Sequence, residues 1–217
     1  SLRFAPLIVV QPLGAIALVV TAIVNARISG VNLNRRSVRA VALCVGGVGL
    51  FVTIAAFVAV DRRIADSQLI TILIILAVVL AGFGGAFIAL KHKFKAVFYI
   101  LAAGVLYGFV ATLAKVVINR IVQGDFEWLT LTCLAGLLAA AGLGAYFVQT
   151  AYSAGPPDLV IAGLTVVDPL VAVGIGVIVL GEASAAPWYA VVAFIIAGVI
   201  AVVGVFDLAR NHPQSRH

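Results

Sequence analysis

Seven apolar runs of about 18 residues or more follow one another along the chain, with short polar connections between them. A run of that length, at about 1.5 Å per residue, matches the hydrocarbon core of a bilayer, where every backbone polar group must be satisfied inside the segment itself. The chain is therefore expected to form an all-α, polytopic membrane helix bundle. Its seven transmembrane helices are expected at 5–27, 37–60, 68–90, 96–118, 128–151, 158–181 and 187–208. Composition points the same way: 64% of the 217 residues are hydrophobic and 10% are charged, against about 25% charged in soluble domains. No connection is long enough to hold a soluble domain, and the lipid bilayer is the first partner implied.

In such a chain the basic residues report orientation. If all seven helices span, Arg27, Arg35, Arg36, Arg39, Lys91, Lys93, Lys95, Arg210 and Arg216 lie on one side, and Arg3, Arg62, Arg63 and Arg120 on the other. The richer side is expected in the cytoplasm, giving a multi-pass protein of a plasma (inner) membrane whose visible chain begins outside and ends inside. Trp128 and Trp188 then open their helices at the outer interface, where aromatic belts form. No basic patch is interleaved with aromatics, so the net charge of +6 does not imply a nucleic-acid partner. The sequence has no methionine and starts inside an apolar run, which suggests that the natural N-terminus lies upstream.

Cys44 and Cys133 lie in apolar runs without metal-ligand spacing, and His92, His212 and His217 fall in a loop and the tail. No cofactor is expected, and no metal site other than Asp168, with carbonyls beside Pro12 and Pro169, should the solute be Mg²⁺. Serine–histidine pairs, paired carboxylates and long loops are absent from the sequence pattern, so an enzyme is not expected. The glycine clusters Gly46-Gly47-Gly49 and Gly82-Gly84-Gly85 lie within spanning segments and lack the strand-before-helix context of a phosphate loop.

Asp168-Pro169, near the middle of 158–181, is the most demanding feature of the chain. A carboxylate there costs at least ~2.5 kcal/mol on insertion scales and is expected to face protein or water. Pro169 removes a helix hydrogen bond and frees a carbonyl of the preceding turn. An ungapped alignment of 5–20 with 162–177 matches Pro12 to Pro169 and also Leu7/Leu164, Val10/Val167 and Ala15/Ala172. The next helices align Gly47-Val48 on Gly198-Val199. The second copy starts five helices after the first, with four between them, so the two run in opposite directions, an inverted structural repeat of the kind that places a transport site at the repeat interface. Residues 1–60 are then the C-terminal helix pair of the first repeat, 61–95 a linker helix, and 96–217 the second repeat with a cytoplasmic tail.

The segments SLRFAPLIVVQPLGAIALVVTAIVNARI, GVLYGFVATLAKVV and YFVQTAYSAGPPDLVIAGLTVVDPLVAVGIGVIVLGE resemble NIPA-type magnesium transporters and EamA-like members of the drug/metabolite transporter superfamily. The resemblance covers nearly the whole chain. It implies a further helix pair before Ser1, and the sequence departs from the NIPA-like pattern at Asp168.

The candidate substrate-binding residues are Asp168, Lys115, Gln11, Gln149 and Thr165, with Pro12 and Pro169 as helix breaks. Gly104 and Gly108, a small-xxx-small pair, are expected to admit a close helix neighbour. Two readings stand for Lys115: a cavity-facing counter-ion of Asp168, or a side chain that snorkels to the headgroups. Asp168 is either a binding or coupling carboxylate or a structural one bonded to a neighbouring helix. Gln11 and Asp168, each preceding a proline, are expected to meet near the pseudo-two-fold axis; Gln149 and Thr165 would add polar lining. The expected function is a secondary transporter that moves a small metabolite, headgroup or cation such as Mg²⁺ by alternating access. An Asp168–Lys115 pair would suit an uncharged or anionic solute better than Mg²⁺. The alternative is a non-transporting membrane subunit that scaffolds another membrane protein or pairs as a homodimer.

Overall fold

The structure is a computed structural model, and it describes residues 39, 42–43, 46–51, 53–54, 64–90, 95–124, 127–181 and 188–211. Gln11, Pro12 and the expected helix 5–27 lie outside the described residues. Among those described there is helix and no strand: α1 Asp66–Leu90, α2 Ala96–Gln123, α3 Trp128–Ala154, α4 Pro157–Ile178 and α5 Trp188–Asn211. Four stretches are long and apolar enough to cross a membrane, Asp66–Ala89, Ala96–Gln123, Trp128–Ala154 and Leu159–Ile178, while the apolar part of α5, Trp188–Gly204, is shorter. Residues 46–51 are also helical, so the Gly46-Gly47-Gly49 cluster belongs to a helix.

The helix ends follow local chemistry. Lys95 and Glu127 enter α2 and α3 in extended conformation, and α2 closes at Gly124, whose φ of 80° lies in the left-handed region and whose N–H donates to the carbonyls of Arg120 and Ile121. The helix expected at 96–118 thus runs on to Gln123, because Asn119 and Arg120 stay helical. Gly155 and the Pro156-Pro157 pair separate α3 from α4, and Pro157 opens α4, the position where a missing N–H costs nothing. At its far end α4 stops at Ile178, short of the expected residue 181. The N–H groups of Val179 and Leu180 both donate to Ile175, and Gly181 turns the chain with φ 67°.

The chain divides into two compact units, one of Ser1–Ala59, Pro156–Val166 and Ala185–His217, the other of Val60–Gly155 and Val167–Ser184. The expected linker helix, α1, belongs to the same unit as α2 and α3. The division crosses α4 between Val166 and Val167, immediately before Asp168-Pro169.

In the second unit α2 is the central element, with Ala102, Ala103, Leu106 and Leu113 fully buried. It forms an antiparallel hairpin with α3. A Cβ on Gly144 would lie 3.2 Å from the Tyr107 ring, and one on Gly155 would lie 2.5 Å from the Ala96 Cβ, so the two contacts fix a common register. Gly136 of α3 lies against Leu73 and Leu76 of α1. At the other end of α1, Phe87 makes edge contacts with Tyr99, Tyr146 and Phe147, ring centroids 5.4 to 6.2 Å apart. At the opposite end Arg120 closes the unit, 3.0 Å from the Asp66 carboxylate and 3.6 Å from that of Glu127. Its side chain is 14% exposed, against 60% for both carboxylates. One cation thereby ties the last turn of α2 to the starts of α1 and α3, where acidic groups also complement the helix dipoles. Arg120→Gln should lower stability by about 1–2 kcal/mol, less than a fully buried network because both carboxylates keep water. A fall in the melting temperature of the purified protein in detergent checks this.

In the first unit, Gly47 meets α5. A Cβ there would come within 2.6 Å of the Ala201 backbone nitrogen and 2.8 Å of its Cα, so the backbones touch. Arg39 pairs with Asp207 at 3.2 Å. Since 39 meets 207 and 47 meets 201, the two helices run antiparallel.

Candidate functional site

Asp168 lies about 15 Å from either end of α4, counting 1.5 Å per residue, which is mid-depth for a bilayer. The helix remains continuous through Pro169. Lacking an N–H, Pro169 leaves the Thr165 carbonyl without its usual helical donor. The Thr165 hydroxyl donates to the Ile161 carbonyl at 2.8 Å, so its hydrogen is committed to its own helix and its oxygen keeps acceptor capacity.

Gly104 and Gly108 of α2 receive α4. A Cβ on Gly104 would lie 2.6 Å from the Val167 Cβ and 3.6 Å from the Asp168 nitrogen, and one on Gly108 would lie 2.6 Å from the Val171 Cβ. The absence of side chains at these two positions is what lets the α4 backbone reach α2 beside Asp168. The two contacts repeat at the same four-residue spacing in both helices, so α2 and α4 run parallel and in fixed register.

That register orders the polar groups by depth. Asp168 is level with Val105, and Tyr107 stands about 3 Å further along the axis. At about 100° per residue, Asp168 and Tyr107 fall on the same flank of the α2–α4 contact, Asp168 one step beyond Val167 and Tyr107 one step short of Gly108. Asp168 itself is half-buried.

Lys115 falls elsewhere. In the same register it is level with Ile178, about 15 Å from Asp168 along the helix axis, farther than a lysine side chain spans. The expected counter-ion pairing of Lys115 with Asp168 is therefore corrected: Lys115 belongs to the level of the last turn of α4, close in depth to the Arg120 network. Gln149 is at the depth of Ala102, a few ångströms from the level of Asp168, but it is exposed on the face of α3 that carries Gly142, Ala145 and Ser153. The opposite face, with Gly144, Phe147 and Ala151, is buried. The structure thus brings Asp168, Gly104 and Gly108 together and leaves Lys115 and Gln149 apart from them. Tyr107 is the member that sequence reasoning missed. It stands inside the GVLYG strip, but only the α2–α4 register shows that it and Asp168 share a flank.

Among the described residues no three His, Cys, Asp or Glu side chains gather as a metal-binding group.

The helices and the mid-depth carboxyl define a membrane-embedded helical protein. An uncharacterized protein of Corynebacterium glutamicum is 27% identical over 212 residues, a match that covers 97% of this chain and 73% of that protein. No protein-family model and no solved structure matches the chain.

Proposed function

We propose that the protein is a secondary transporter of the drug/metabolite transporter type, with seven transmembrane helices in this chain and an inverted repeat. It moves a small solute across the plasma membrane by alternating access, with its C-terminus in the cytoplasm. The observation that carries the reading is Asp168: a carboxyl at mid-depth, next to a proline, where α4 is drawn against the glycines of α2.

A second observation supports the repeat. The alignment that places Gly47 on Gly198 relates the two copies by 151 positions, so a two-fold axis would bring the helices closest between residues that differ by about that number. Gly47 and Ala201, whose backbones touch, differ by 154. An inverted pair related by a two-fold axis has this property, whereas an unrelated antiparallel pair has no reason to cross at matching positions.

With Lys115 at another depth, the locus presents one carboxyl and several uncharged oxygens. Such a set favours a proton, a cation or a solute rich in hydrogen-bond donors over an anion. This reverses the preference that an Asp168–Lys115 pair would have implied. Purified protein in proteoliposomes tests the proposal. An imposed proton or solute gradient should drive solute-dependent flux, read with an internal pH dye for organic ammonium compounds and with a Mg²⁺ indicator for magnesium. Absence of flux for every solute in such a panel would favour the scaffold alternative.

A further inference from the structure

We propose that Tyr107 is a positioning residue for Asp168: its phenol, carried by α2 and seated on Gly144 of α3, stabilises the ionised carboxyl of α4 and so sets the pH range in which that group takes up a proton. The inference rests on reading Asp168 as the working carboxyl of the transport site, and it supplies that site with its second polar member.

Two placements carry it. The α2–α4 register sets the two residues about 3 Å apart in depth and on one flank of the helix contact. Gly144 leaves room for the Tyr107 ring, whose Cε1 would be 3.2 Å from a Cβ at that position, so the ring is held by the α2–α3 hairpin. A phenol can donate a hydrogen bond to a carboxylate, directly or through a water or a bound solute, and such donation favours the charged form.

Other groups facing Asp168 from the packed elements are few among the described residues. Lys115 is about 15 Å outward on α2. On α3, Tyr146 is exposed and belongs to the ring cluster with Phe87 and Phe147. The Asp66 carboxylate of α1 is paired with Arg120 at the outer end of the unit. Tyr107 is therefore the polar side chain placed to act on the carboxyl at its own depth.

Dicyclohexylcarbodiimide modifies protonated carboxyls in apolar surroundings and needs no solute, so it reads Asp168 directly. The whole protein in detergent or liposomes is labelled across a pH series, and modification is measured by mass spectrometry on the peptide that holds residue 168. Asp168→Asn should abolish that signal. Tyr107→Phe keeps the ring on Gly144 and removes only the hydroxyl, and the pH of half-maximal labelling should rise by about one unit. Gly144→Ala, whose methyl presses on the ring, should move the midpoint in the same direction and serves as the test should Tyr107→Phe fail to fold. An unchanged midpoint in a folded Tyr107→Phe protein overturns the inference, as does a shift in Gly144→Ala without one in Tyr107→Phe, which would be packing alone. Failure of the transport reading looks different: flux would be absent or indifferent to Asp168 while the labelling shift persisted.

Discussion

Asp168→Asn should reduce coupled solute flux in proteoliposomes by about 10- to 100-fold while leaving the protein folded, the loss expected when a charged hydrogen-bonding group is removed from a site. Asparagine keeps the shape and an acceptor oxygen but neither ionises nor takes up a proton at neutral pH. Because a mid-membrane carboxylate costs at least ~2.5 kcal/mol to place there, the neutral variant should melt at the same temperature as the parent or higher. Flux and melting temperature together make the check. Unchanged flux would take Asp168 out of the mechanism, and lost flux with a collapsed melting curve would mark the carboxyl as structural.

The second large effect concerns the seat on which Asp168 rests. Gly104→Val and Gly108→Val should each destabilise the protein by about 1–3 kcal/mol, the usual penalty for forcing extra carbon into a closed contact. The first Cβ would lie 2.6 Å from the Val167 Cβ. The second would meet Val171 at the same distance and the Ala172 backbone nitrogen at 3.0 Å. Those neighbours are branched side chains and backbone, which cannot swing aside. Gly82→Ala and Gly142→Ala are the controls, since a Cβ at either position meets nothing within 4 Å. They should be neutral or slightly stabilising through the gain in helix propensity. Equal melting temperatures for the Gly108→Val and Gly142→Ala proteins would contradict the described α2–α4 contact.

Several features were legible along the chain because they depend on neighbours in sequence. Apolar run length marked the helices, and Gly124 and Pro156-Pro157 stop or start them through backbone chemistry that acts within a few residues. The expected limits of α2 and α4 moved by about one turn. Arg120 is polar yet remains helical because Asp66 and Glu127, distant in sequence, hold its charge. The Gly104–Gly108 strip could be read as a surface of close approach, but which helix approaches it could not.

The candidate site divides along the same line. An aspartate before a proline in an apolar span is conspicuous in one dimension, and its cost follows from the dielectric of the membrane alone. Lys115 and Tyr107 show what one dimension lacks. Lys115 shares the α2 stripe with Gly104 and Gly108, which suggested a partner in Asp168, yet the parallel register of α2 and α4 separates them in depth. Tyr107 carried no signal because its relation to Asp168 arises from two helix contacts at once, one to Gly144 and one to Val167 and Val171. By itself, the sequence determined that the described segments become long apolar helices, and that a carboxyl lies at the middle of one of them, since hydrophobicity and backbone hydrogen bonding are properties of each segment. Which polar groups share that depth and flank was decided by the tertiary structure alone, because helix register depends on where small residues let two backbones touch.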